Sequence, residues 1–324
     1  MADDKQKVIS NNSIEVSENK LPSIAIAGAG ALGSFYGALL QKNGHSVQFQ
    51  SRSSYKVLSH SPLNIKSAWG DFQIKAAFFE TAKEMHKADI VMVTCKALPG
   101  IDYKTLLESV VGRNSTIIVL QNGINNDEKI QSIFPDNKVY AATAFSCINR
   151  LAADQIHHLD YGNVMMASIG KEQPDEINKL SEYFTSAGIP VKTAEDHRYM
   201  RWQKLLWNIP FNSLSVLLHG ATTSDMISNE HCMSIVRELL NETREIAKSD
   251  GVLISETDAE QMVERTKKMK PYKTSMLLDH EAKKPMEVDA ILGEPLIIAK
   301  ENSVSAISIK NVYSLLSFLN DKST

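Results

Sequence analysis

Ser23-Ile-Ala-Ile-Ala-Gly28-Ala-Gly30-Ala-Leu-Gly33-Ser-Phe-Tyr-Gly37 decides how the folded part of this chain is read. The apolar run Ile24 to Ala27 suits a buried parallel strand. Gly28-x-Gly30-x-x-Gly33 follows at once, and a helical pattern (Leu32, Phe35, Tyr36, Leu39, Leu40) begins inside it. That context is what a dinucleotide-binding turn requires. Gly28 makes the tight turn, Gly30 lets a diphosphate approach the backbone, and Gly33 lets helix and strand pack closely. The helix start at Ala31, Leu32 and Gly33 offers unpaired N–H groups and a positive dipole end to the phosphates. The alternative is a structural turn in some other α/β domain.

The second strand, Gly44-His-Ser-Val-Gln-Phe-Gln50, lies one helix further on, as a βαβ unit demands. An NAD site usually ends this strand with Asp or Glu, which accepts from the ribose hydroxyls. Here the chain reads Gln50-Ser51-Arg52-Ser53-Ser54, without an acid. Arg52 carries a planar fork of donors suited to a phosphate, and an acid would repel one. The pattern therefore favours NADP(H), the alternative being that Arg52 is a solvated surface residue.

At 324 residues the chain is long enough for two domains with separate cores. A net charge of −3 argues against nonspecific nucleic-acid binding. The basic stretch Arg265 to Lys273 reads as a solvated helix face. Cys95, Cys147 and Cys232 are odd in number and scattered, which suits reduced thiols in the cytoplasm and gives no metal-spaced pair. His157 and His158, adjacent on an expected strand, would point to opposite faces and make a poor metal pair. Residues 1–20 contain Asp3, Asp4, Glu15 and Glu18 and no apolar core, so they read as a polar tail, neither signal nor transit peptide. The uncharged stretch Leu205 to Ser224 includes Asn208, Pro210 and Asn212 and is too polar for a membrane span.

Further strands are expected at Leu63–Ser67 and Phe72–Phe78, turned at Trp69-Gly70-Asp71, then at Asp89–Cys95, Ser115–Leu120, Val139–Ser146, Gly162–Ile169 and Pro190–Thr193. Pro174 to Ala187 reads as a helix. Beyond Glu195 only helical periodicity recurs, over 196–218, 229–249, 258–269, 287–300 and 307–319. The pattern predicts an α/β, Rossmann-type dinucleotide-binding domain over residues 21–194, followed by an all-α substrate domain over 195–324.

Ligands of an open α/β sheet lie outside the carboxyl ends of its strands. Asn122 is expected at such an end, after the fifth strand, with Lys96 on the same edge nearer the adenosine side; Asn122-Gly123 is also ordinary turn chemistry. Lys204, Asn208 and Asn212 recur at four-residue steps on a hydrophobic helix. A polar stripe there meets either a polar substrate or a hydrogen-bonded domain contact. Pro210 removes a helical N–H bond and crowds the Leu206 carbonyl, so it threatens the alignment of Asn212. Glu287 and Asp289 stand at an expected helix start, where either can cap and one of them can reach a cleft. No Tyr is followed by Lys four residues later, which disfavours short-chain dehydrogenase chemistry.

Taken in order, Gly28-Ala-Gly30-Ala-Leu-Gly33, Arg52, Lys96, Gln121-Asn122-Gly123, the Lys204/Asn208/Asn212 helix, Ser275-Met276 and Glu287-x-Asp289 resemble the motifs of the ketopantoate reductase (2-dehydropantoate 2-reductase) family. The resemblance runs from about Pro22 to the C-terminus. It implies reduction of a small 2-oxo acid, ketopantoate, to pantoate by NADPH between two lobes, on the way to pantothenate and coenzyme A. By position, Lys204 would be the general acid, and Glu287 would engage the substrate hydroxyl and help hold Lys204. Asn208, Asn212 and Ser275 would bind substrate. Asn122 would touch the nicotinamide side, while Arg52 and Lys96 would meet the 2′-phosphate. Leu292, where the family often has Asn, and Pro210 depart from the pattern. A homodimer is left open. A reductase of another 2-oxo or β-hydroxy acid, or a non-catalytic NADPH sensor, are the competing readings.

Overall fold

The computed structural model describes residues 20–170, 174–271 and 273–323; the expected polar tail, Lys20 apart, lies outside them. β1 (Ile24–Ala27), α1 (Ala31–Lys42) and β2 (Val47–Gln50) form the first βαβ unit. There follow α2 (Tyr55–Leu58), β3 (Leu63–Ser67), β4 (Phe72–Ile74), β5 (Ala77–Phe79), β6 (Ala88–Val93), α3 (Tyr103–Leu107) and β7 (Val111–Val119). The first lobe ends with α4 (Asn126–Ile133), β8 (Lys138–Ala152), β9 (Gln155–Ser168), α5 (Pro174–Ser186) and β10 (Val191–Thr193). One sheet runs β4-β3-β9-β8-β7-β6-β1-β2-β5, with β10 against β9. From β8 to β5 its pairs are parallel; β8 with β9 and β3 with β4 are antiparallel.

Side-chain alternation explains why β1 lies inside. Ile24 and Ile26 enter the core under α1 with Phe35, Tyr36 and Phe49. Ala25 and Ala27 face the opposite core with Val91, Val93 and Ile117. A strand covered on both faces must be apolar throughout. Gly28 has φ +86°, and a Cβ at Gly33 would stand 2.2 Å from Thr94 Oγ1, so α1 can lie this close to the sheet only over glycine.

Two strand expectations are corrected. The run Phe72–Phe78 is divided: β4 turns back on β3, and β5 crosses to the far edge beside β2. Ile74 and Phe78 enter the same core, so one alternating run serves both edges. The strands at Val139 and Gly162 are also far longer than their apolar stretches. They form one ribbon whose outer half carries polar residues that mask the period.

Beyond Thr193 the described residues are helical. α6 (His197–Trp207) continues through a π turn (Asn208–Asn212) into α7 (Ser213–Leu217). Then come α8 (Thr223–Ser228), α9 (Glu230–Ser249), α10 (Glu256–Lys267), α11 (Ser275–Glu281), a second π turn (Asp289–Gly293), α12 (Glu294–Glu301) and α13 (Ile307–Ser323). Their core gathers Trp202, Leu205, Phe211, Val236, Leu239, Ile291 and Leu316, and Ile124 of the first lobe joins it. Pro210 falls inside the first π turn. Its missing N–H and the crowded Leu206 carbonyl are absorbed by widening the helix rather than breaking it. No helix among the described residues is long and apolar enough to cross a membrane.

A buried guanidinium joins the lobes. Arg201 on α6 is 1% exposed. It donates to the carbonyls of Gln121 (2.6 Å), Val119 (2.9 Å) and Ala142 (3.1 Å), and its Nε lies 3.3 Å from Asp127 Oδ2. β7 stops at its last pair, Val119 with Ala141, while β8 runs on; Arg201 takes the carbonyls where the two part. Burial raises the Asp127 carboxyl above its ordinary pKa, against the pull of Arg201. Arg201→Met leaves these acceptors buried without a donor and should cost about 3–5 kcal/mol, the range for breaking a buried ionic contact. Urea unfolding monitored by circular dichroism measures it; a loss no larger than the roughly 0.5 kcal/mol of a surface substitution would show that other contacts hold the junction.

Candidate active site

The site lies at the carboxyl edge of the sheet, where α6 and the second π turn face β1, β6, β7 and β8. On the sheet side, Gly28 N–H donates to Gln50 Oε1 at 2.9 Å, and the Gln50 amide donates to the Glu80 carbonyl at 3.2 Å. The residue at the end of β2, where an NAD site presents an acid, thus serves the glycine turn itself. Arg52 follows, exposed. A Cβ at Gly30 would meet nothing nearer than Gly28 O at 4.0 Å, so the turn is open on the side from which a diphosphate approaches.

On the helical side, α6 begins at its N-cap Asp196, which accepts from Arg198 N and Tyr199 N. Arg201 fixes the helix to the sheet, and Lys204 follows one turn later. Its Nζ donates to the Ala144 carbonyl at 3.0 Å, two residues beyond the Ala142 carbonyl taken by Arg201. The ammonium lies 5.2 Å from the Phe145 ring centroid and 5.7 Å from that of Trp207. Desolvation lowers its pKa to about 8, opposed by Cys147.

Asn208 and Asn212 are 2% and 1% exposed. Among the described residues, Asn208 Nδ2 and Asn212 Oδ1 have no hydrogen-bond partner, and neither has Trp207 Nε1. Buried amide atoms without partners are costly, so those of Asn208 and Asn212, on the helix that carries Lys204, suit a polar ligand. Ser275 opens α11 and is exposed, while the preceding Thr274 is buried and its hydroxyl lies 2.6 Å from Ser215 Oγ.

Three other expected residues meet across the gap. Glu287 Oε1 accepts from Ala97 N–H and Oε2 from Asn122 Nδ2, both at 2.9 Å. Lys96 Nζ pairs with Asp279 Oδ1 at 2.6 Å and donates to the Pro285 carbonyl at 2.8 Å. Burial raises the Asp279 carboxyl, and Lys96 opposes the shift. Of the two acids at 287 and 289, only Glu287 joins this group. Asp289 Oδ1 accepts from Tyr313 OH at 2.8 Å. It lines a separate groove of about 730 Å³ whose walls include neither Lys204 nor the two asparagines.

Several expectations change. Among the described residues no ion pair joins Glu287 to Lys204; Glu287 is instead held by the first lobe. Lys96 follows β6, which β1 separates from β2 and Arg52, and its ammonium is held at the lobe junction by Asp279 and the Pro285 carbonyl. Asn122 follows β7, the seventh strand in chain order and the fifth along the sheet. Asp127, Glu128 and His197 each bring a ligand atom within 4.8 Å of the others. Their carboxylates, however, face Arg201 and Arg198, and His197 Nε2 lies 3.2 Å from Glu128.

Arg201, Asp279 and the rings beside Lys204 escaped the sequence reading, as did Arg150. Arg201 alone left a trace, a charge on the apolar side of α6. The others are set by the curl of the β8–β9 ribbon and the docking of α11, which no local period records.

Residues 24–171 match the family model described as ketopantoate reductase PanE/ApbA, and residues 196–320 match that of its C-terminal domain. A 2-dehydropantoate 2-reductase of Nostoc sp. is 37% identical over 305 residues, covering 92% of this chain and 95% of the relative. The crystal structure of the Methylococcus capsulatus 2-dehydropantoate 2-reductase superimposes with a TM-score of 0.84 at 36% identity, covering 93% and 98% of the two chains. D-mandelate dehydrogenase, solved with NADH and anilino(oxo)acetate, shares the fold at TM-score 0.86 and 19% identity over 93% and 99%. Matched in both halves and along nearly the whole length of its Nostoc relative, this chain belongs to the ketopantoate reductase family.

Proposed function

We propose that this protein is an NADPH-dependent 2-dehydropantoate 2-reductase that converts ketopantoate to pantoate, a step toward pantothenate and coenzyme A. The observation that carries the reading is the desolvated Lys204 ammonium, set beside unpartnered buried amides at the mouth of a dinucleotide fold. The open backbone at Gly30 and the exposed Arg52 fit a diphosphate and a 2′-phosphate, and Gln50 offers no charge to repel the latter. A reduced nicotinamide bound there would be the source of the hydride for the ketone carbon.

Lys204 does the acid work. Charge builds on the ketone oxygen as it is reduced, and an ammonium in a water-poor site stabilises that charge and delivers the proton. Its pKa of about 8 leaves it charged at neutral pH yet readier to release a proton than an exposed lysine. Asn208 and Asn212 offer a donor and an acceptor to the polar end of the substrate, and Ser275 offers its hydroxyl to the carboxylate. Glu287, anchored on Ala97 and Asn122, presents its carboxylate to the substrate hydroxyl, and Asn122 serves the nicotinamide side.

One observation favours a second reading. Phe145 and Trp207 flank the ammonium, with Tyr161 against Phe145 at 4.8 Å. That apolar wall suits a bulky 2-oxo acid side chain, so ketopantoate should be compared with pyruvate and 2-oxoisovalerate by the loss of reduced-nicotinamide absorbance. A clear preference for ketopantoate supports the first reading, and equal rates favour a broader reductase.

Lys204→Ala should lower kcat by on the order of 10²-fold, the range of a positioned acid; near-normal turnover removes Lys204 from the mechanism. Because the protonated amine is the active form, kcat/KM should be level below neutrality and fall as pH rises through about 8. A profile flat across that range contradicts the assignment. Arg52→Ala should raise KM for NADPH and leave that for NADH unchanged, whereas an equal effect on both would discredit the phosphate role.

A further inference from the structure

Arg150 stands in the outer half of β8, where the β8–β9 ribbon curls over the start of α1. Its Nη2 donates to the carbonyls of Ala29 (2.7 Å) and Gly30 (3.1 Å) and to Ser34 Oγ. Its Nη1 donates to Ser54 Oγ at 3.2 Å and to the Ala153 carbonyl. Every one of these acceptors is neutral, and among the described residues Arg150 makes no ion pair. Ala29, Gly30 and Ser34 belong to the glycine turn and the first helical turn, and Ser54 to the segment that carries Arg52. A single guanidinium thus ties together the two backbone pieces that would receive a dinucleotide's diphosphate and ribose phosphate.

A half-buried cation surrounded only by neutral oxygens is poorly compensated. Burial draws its pKa down to about 10, and Asp154 offsets only part of that. It remains charged at neutral pH, with its field directed at the start of α1, where the helix N–H groups add a partial charge of the same sign. An anion lying over Gly30 would compensate both. Gly28, Ala29 and Gly30 N–H are already taken by Gln50 and the Gly28 carbonyl, and Arg150 takes only oxygens, so the N–H groups at the start of α1, from Ala31 on, remain to face that anion.

Resting on the dinucleotide reading above, we propose that Arg150 is a positioning residue of the cofactor site: it sets the glycine turn and supplies the fixed positive charge that stabilises the cofactor diphosphate, whichever ribose it carries. The role is distinct from that of Arg52, which would touch only the 2′-phosphate.

Fluorescence titration of the full chain with NADPH and with NADH, at two ionic strengths, tests this on Arg150→Met, Arg150→Lys and Arg52→Ala. Arg150→Met should weaken both nucleotides by the same factor, about tenfold for the roughly 1.4 kcal/mol of one lost charge-assisted contact, and reduce the salt dependence of binding. Arg150→Lys should recover most of the affinity. Arg52→Ala should weaken NADPH alone. The inference is overturned if Arg150→Met binds both nucleotides normally, if it loses NADPH alone, or if Arg150→Lys fails as badly with unchanged salt dependence, since a purely structural role predicts the last. A parent chain that bound neither nucleotide would overturn the cofactor reading itself.

Discussion

The candidate site depends on the guanidinium of Arg201 being buried where β7 ends and β8 continues. Two parallel strands that part leave carbonyls facing a gap, and buried carbonyls must be met. Arg201 meets three of them from α6, so the helix is fixed in register as well as in place. Lys204 follows at three residues, about 4.5 Å along a helix axis, and the Ala144 carbonyl lies two residues beyond Ala142, about 6.6 Å along a strand. These spacings are close enough for one helix to serve both carbonyls with successive cations. The position of the candidate acid is thus a consequence of the joint between the lobes.

That placement also sets the chemistry of the amine. An exposed lysine is fully charged and a poor proton donor at neutral pH. Packing Lys204 between Phe145 and Trp207 removes water from the ammonium, while the ring faces return part of the lost stabilisation as cation–π attraction. No carboxylate forms an ion pair with it among the described residues. Glu287, which would have raised the pKa, is instead occupied by Ala97 and Asn122. The separation of these two groups is what allows desolvation to dominate.

Much of this was legible in the chain. The βαβ unit, the split into an α/β and a helical half, and the glycine turn each rest on a local period or on a backbone conformation that only glycine adopts. The asparagine stripe was legible because polar residues on a hydrophobic helix need partners. Lys96 and Glu287 were expected at a ligand and are found bridging the lobes. The strand order around Lys96, and the approach of the Met286–Val288 segment to Ala97, are long-range facts that no window of sequence contains. Arg150 was hidden for the same reason, since only the curl of a long ribbon brings a residue of β8 back to a turn more than a hundred positions earlier.

Several departures from local rules lie in or near the lobe junction. The first π turn, at Pro210, carries Asn208 and Asn212, each with one buried amide atom that has no partner among the described residues. The second packs against the Asn122-Gly123 corner so closely that a Cβ at Gly123 would stand 2.3 Å from the Ala290 carbonyl. Tyr161, beside Phe145, has φ +60°, a conformation that costs a bulky residue on the order of 1–3 kcal/mol. The desolvated ammonium of Lys204 is a fourth departure. A bound polar substrate would relieve the orphaned amides of Asn208 and Asn212 and the desolvated ammonium of Lys204 together.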